Sequence, residues 1–85
     1  MNRDVAIITF KLIKRNSEVD LEVPLNITAN ELIIALNSAY NLGINTSDAQ
    51  ECYLTAENPI VLLRGNRTLA ELGVRNGTVV LYSRE

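Results

Sequence analysis

Residues 27–43, ITANELIIALNSAYNLG, carry the one sustained helical period in this chain, and the apolar runs on either side of them alternate with a period of two. Thr28 is a good N-cap, with Glu31 three residues on at the capping-box position and Ile27 and Leu32 placed as a hydrophobic staple. At 100° per residue, Leu32, Ile33, Leu36, Ala39 and Tyr40 form an apolar stripe; Asn30, Ile34, Asn37 and Asn41 form the opposite face. Gly43 supplies a left-handed stop. A helix of about four turns is not stable alone in water, so the stripe must cover a sheet built from the flanking runs.

Those runs read clearly. From Val5 to Ile13, Ala6, Ile8, Phe10 and Leu12 share one phase and Ile7, Thr9 and Lys11 the other. RNSE interrupts, and VDLEVPL resumes with Val19, Leu21, Val23 and Leu25 against Asp20, Glu22 and Pro24. Pro24 has no N–H to give to a ladder, which puts this strand at a sheet edge or ends it there. The two form an N-terminal hairpin. Beyond the helix, CYLTA and IVLL read as short strands turned by Asn58-Pro59. Thr68 and Glu71 repeat the capping-box spacing over a single helical turn that Gly73 ends, and Asn76-Gly77 launches a last strand, VVLY.

The chain has 85 residues, enough for one domain spanning 1–85 with one core and no second lobe to form a deep cleft. No apolar run approaches the ~20 residues of a membrane span, and the N-terminus lacks the h-region and cleavage site of a secretory leader. The net charge is −2 with both signs interleaved, so no broad positive field invites nucleic acid. Lys11, Lys14 and Arg15 precede Glu18, Asp20 and Glu22. On the arms of a hairpin these face each other, and cross-strand ion pairing is favoured over an anion site. Histidine is absent and Cys52 is the single cysteine, which leaves no zinc set, no internal disulfide and no base to activate a thiolate. Cys52 therefore reads as a small core residue at the start of a strand, Arg64, Gly65 and Arg67 as a surface turn, and the cofactor expectation is none. A reducing cytoplasm suits this composition.

The motifs carry a family resemblance. VDLEVPLNITANEL resembles the second strand and helix start of ubiquitin, LGI its helix exit, and NRTLAELGVRNGTVVLY its closing turn and final strand. Within that superfamily the chain is most similar to the YukD-like proteins of Gram-positive type VII (WXG100, ESX-type) secretion, whose terminal turn is matched by Gly73-Val74 and Asn76-Gly77. The resemblance implies an α+β, ubiquitin-like β-grasp: a mixed sheet with first and last strands parallel at its centre and one amphipathic helix packed on one face. It further implies a non-catalytic protein-interaction module, an accessory of the secretion apparatus in the cytoplasm or at the membrane face through a partner, with secretion components or a second copy as partners. The runner-up is a ubiquitin-like modifier or sulfur carrier. Such a protein needs a glycine tail to reach an activating enzyme, and Ser83, Arg84 and Glu85 stand there instead. A third reading, a regulatory domain for an unrelated enzyme, is not separable by sequence.

On that fold Val80 and Tyr82 point under the helix, so Val79 and Leu81 point to the open face of the sheet, beside Ile7 and Thr9 on the first strand and Tyr53 on the strand beyond. These five are the expected protein-binding residues, with Ile34 on the exposed helix face as a secondary candidate. The Val-Val-Leu run does not itself fix the phase, and a slip of one residue would bury the whole set.

Overall fold

The computed structural model describes residues 4–84. Five strands form one sheet in the order β2-β1-β5-β3-β4: β1 Val5–Leu12, β2 Ser17–Pro24, β3 Leu54–Glu57, β4 Val61–Leu63 and β5 Val79–Tyr82. The helix α1, Ala29–Tyr40, lies across one face. β1 and β5 run parallel at the centre and the other pairings are antiparallel, which is the β-grasp expected from the sequence. Between β1 and β2 a 3₁₀ turn, Ile13–Arg15, closes the hairpin with Asn16 in the left-handed region, so β1 stops one residue short of Ile13. β2 is an edge strand with Pro24 as its last residue, as its missing N–H requires.

The core holds one phase of each strand and the helix stripe. Ile8, Phe10, Leu54, Leu63 and Val80 are buried beneath Leu32, Ile33 and Leu36. The phase of β5 is as read: Val80 and Tyr82 face the core. Tyr40 reaches over β1 to place its ring 5.4 Å from that of Phe10, tilted by 59°.

Both ends of α1 are tied down. At the start, Thr28 and Glu31 form the full capping box, and the Ala29 and Asn30 amides donate to the carbonyls of Arg67 and Gly65. The first-turn N–H groups, which have no partner inside a helix, are thus satisfied by the RGNR loop. At the end, the Arg15 guanidinium donates to the carbonyls of Tyr40 and Asn41 at 2.7 and 2.9 Å, placing a cation at the negative pole of the helix.

Several details differ from expectation. The helix ends two residues early: Asn41, not Gly43, takes the left-handed position at φ 56°, while Gly43 at φ 75° serves the following loop. Ala39 is exposed, whereas Tyr40 beside it is half-buried against the core. Asn37 and Asn30, assigned to the polar face, turn inward as loop anchors. Asn37 exchanges two hydrogen bonds with the Ile44 backbone, and Asn30 Oδ1 accepts from the Gly65 amide and the Cys52 thiol. Cys52 and Tyr53 precede β3 rather than open it. Residues 68–73 form one capped turn, with Leu72 donating to the Thr68 carbonyl and the Thr68–Glu71 box intact.

Two outcomes follow. Leu36→Ala removes a buried side chain from the centre of the stripe and is expected to cost about 2–5 kcal/mol in urea unfolding; parental stability would mean that Leu36 is not packed. Hydrogen bonds from Thr68 backbone and side chain hold the Glu71 carboxyl below its ordinary value of 4.5. A lowered folded-state pKa stabilises the native state above the unfolded value, and that contribution is lost as pH falls through the folded one. Thermal melts followed as pH falls from neutrality through and below the ordinary glutamate range of about 4.3 should therefore fall less steeply for Glu71→Gln than for the parent.

Candidate functional site

The face of the sheet opposite α1 carries no covering element among the described residues, and strand register fixes what it presents. One row crosses Asp20, Thr9, Val79 and Glu57; the next crosses Glu18, Lys11, Leu81, Thr55 and Leu62. Glu22 stands opposite Ile7 beside the first row. Each of these side chains is in the phase opposite to the core, as alternation demands.

The five expected residues are not equivalent. Ile7 is 46% exposed, the most open of them. Val79 and Leu81 point to this face but are half-buried, because the centre of the sheet has strands on both sides and the cross-strand neighbours Thr9, Glu57, Lys11 and Thr55 shield them. Thr9 is half-buried, and its hydroxyl donates to Asp20 Oδ1 at 2.9 Å. Tyr53 lies just before the start of β3 with the Arg84 guanidinium 4.0 Å from its ring centre. Arg84 also donates to the carbonyls of Glu51 and Tyr53, so this corner is a stacked cation rather than an open aromatic. Ile34, 51% exposed, sits on the outer side of α1, away from this face.

What the sequence reading left out is the acidic side of the face. Asp20, Glu22 and Glu57 are exposed and flank the apolar stripe of Ile7, Val79 and Leu81; Glu18 pairs with Lys11 at 4.0 Å across the hairpin. That last contact is the cross-strand pairing expected, and such exposed pairs contribute little. Among the described residues no ion pair engages Glu22 or Glu57. The guanidinium of Arg75, at the same end, is bonded to Asn58 Oδ1. The alternation of Asp20 and Glu22 was readable in the chain; their alignment with Ile7 and Val79 needed the register. Leu62, on β4, was also missed, because a three-residue strand has too short a period to assign a face.

The open face offers contact area and charge but no reactive group. Cys52 lies under the rim of a cleft of about 300 Å³ with Asn30, Ser47 and Arg64, buried, its thiol donating to Asn30 Oδ1. Burial pushes its pKa up, against a smaller opposing pull from Arg84, which disfavours a thiolate. Among the described residues no three His, Cys, Asp or Glu side chains cluster to hold a metal ion. Among the described residues no helix is long and apolar enough to cross a membrane. Glu85, part of the tail weighed above against conjugation, lies outside the described residues.

Known proteins agree with this architecture. Residues 5–81 match the family model described as WXG100 protein secretion system (Wss), protein YukD. Among solved structures, the chain resembles the ubiquitin-like domain of Plasmodium falciparum Dsk2 at a TM-score of 0.62 and 17% identity, over 93% of this chain and 99% of that one. It also resembles the C-terminal ubiquitin-like domain of mouse tubulin-specific chaperone e, at 0.68 and 15% over 96% and 90%. A designed protein based on ubiquitin matches at 0.64 and 15% over 99% and 94%. No curated protein sequence matches this chain. At these identities the structural likeness shows the fold.

The difference in burial gives a stability test of the face. Ile7→Ser should cost less than about 1 kcal/mol, whereas Leu81→Asp, which sets a carboxylate among half-buried neighbours, should cost roughly 1–3 kcal/mol. Equal losses in denaturant titrations would contradict the burial described.

Proposed function

The chain belongs to the YukD family of the WXG100 protein secretion system, and from that membership we propose that it is a non-catalytic interaction module that docks a protein component of the secretion machinery on the open face of its sheet. The observation that carries this reading is the row structure of that face. Ile7, Val79 and Leu81 form an apolar stripe, with the carboxylates of Asp20, Glu22 and Glu57 beside it. A partner of matching chemistry presents an apolar anchor flanked by lysine or arginine, so that carboxylates steer the encounter and the stripe supplies the buried area. Thr9 and Tyr53 border the contact, and the Arg84 cation on Tyr53 marks its far corner. A buried, neutral thiol and the absence of histidine support a binding role over a catalytic one. The module works in the cytoplasm, reaching the membrane face through its partner.

Titration against the purified cytoplasmic components of the same secretion system tests this. Ile7→Ser should weaken binding about tenfold or more, as loss of an interface anchor does, while the melting temperature holds. Glu22→Gln with Glu57→Gln should slow association and flatten its dependence on salt. If these variants bind like the parent and Ile34→Asp abolishes binding, the contact is on the outer face of α1 and the open-face reading fails.

A further inference from the structure

Asn76-Gly77 is the single Asn-Gly pair in the chain, and it stands in the turn that delivers β5 to the sheet. The Thr78 amide donates to the Arg75 carbonyl at 3.0 Å and Gly77 lies at φ 92°, which makes residues 75–78 a type II turn with Asn76 in its second position. Both groups that can react with each other are held by the same residue of β1. The Ile7 amide donates to Asn76 Oδ1 at 2.7 Å, and the Gly77 amide donates to the Ile7 carbonyl at 3.0 Å. Asn76 and Gly77 are exposed, so water and base reach them, and only geometry keeps them apart.

We infer that Asn76 is a modification site closed by the fold: it deamidates in chains whose β5 has left β1, and not in the folded domain. The Gly77 nitrogen, giving its proton to a base, attacks Asn76 Cγ. The new C–N bond closes a succinimide ring, and the Cγ–Nδ2 bond breaks to release ammonia. Water then opens the ring at Cγ, leaving aspartate, or at the main-chain carbonyl, leaving isoaspartate with the chain running through Cγ. Glycine after the asparagine leaves this attack unhindered in a free chain, because it has no Cβ. In the folded domain a type II ψ of about 120° at Asn76 turns the Gly77 nitrogen away from the side chain, and swinging it towards Cγ would break its bond to Ile7. β5 lies between β1 and β3, and the buried Thr78 hydroxyl is fastened to the Asn58 carbonyl, so the turn leaves Ile7 when the central strands part. The modification therefore marks chains that have been unfolded. The inference stands whatever docks on the open face.

Peptide mapping by mass spectrometry tests this on the whole chain. Trypsin cuts after Arg75 and Arg84, so residues 76–84 form one fragment whose mass reports conversion of the amide to the acid. The parent is incubated in alkaline buffer at a series of urea concentrations, with the unfolded fraction read by circular dichroism. Conversion at position 76 should track that fraction. Without urea it should run slower than in the unfolded chain by more than about a hundredfold. Leu36→Ala, which weakens the core without touching the turn, should raise the rate in the absence of urea by more than about tenfold; if that variant does not fold, the urea series on the parent decides alone. Asn76→Gln, whose longer side chain must close a larger ring, should stay unconverted in the same fragment. Conversion of the folded parent at close to the unfolded rate, no conversion at position 76 in urea, or a rate indifferent to Leu36→Ala would overturn the inference.

Discussion

The parallel pairing of the first and last strands is the constraint on which the rest of this structure depends. β5 is only four residues long, yet it occupies the centre of the sheet, between β1 and β3. A strand so short gains few ladder bonds of its own, and its position is secured by the turn before it. The Ile7 amide donates to Asn76 Oδ1, Gly77 donates to the Ile7 carbonyl, and Thr9 donates to the Thr78 carbonyl. Gly77 sits at φ 92°, a conformation closed to most side chains. Thr78, fully buried, donates through its hydroxyl to the Asn58 carbonyl while accepting from the Arg75 amide. One threonine therefore fastens the start of β5 to the β3–β4 hairpin. At the other end, the Tyr82 hydroxyl reaches the Leu42 carbonyl beyond the helix.

Helix placement follows from that centre. With β1 and β5 side by side, Phe10, Ile8 and Val80 make a continuous apolar surface, and the stripe of α1 has one place to lie. Its ends are then fixed by distant segments, the RGNR loop at the start and Arg15 from the first hairpin at the finish. Arg15, which looks like a candidate for anion binding in the linear chain, is occupied in closing the helix. Commitment of the loops to one face leaves the other without cover, which is why a domain this small has a full sheet surface available for contact.

That surface supplies contact area and charge. Its carboxylates lie in the open, beside an apolar stripe, with solvent to stabilise their charge, and the thiol that could react is buried elsewhere and held protonated.

The sequence by itself determined the order of the elements and the phases of the first two strands. Alternation along 5–13 and 19–25 separated the inward phase from the outward one, because a period of two admits no intermediate orientation, and the Thr28–Glu31 box set the helix start through local bonds alone. Only the tertiary structure decided degree and adjacency. Leu81 and Val79 face outward as read, yet lie half-buried, since shielding comes from neighbouring strands whose register no local pattern encodes. Asn37 turns inward to the Ile44 backbone where the chain doubles back seven residues on, whereas Asn30 turns inward because the Gly65 amide of a remote loop arrives beside it, and the end of α1 at Asn41 is closed by Arg15 from the first hairpin. The partners of Asn30 and Asn41 are far from them in the chain, so those contacts exist only after the sheet has brought its first and last strands together.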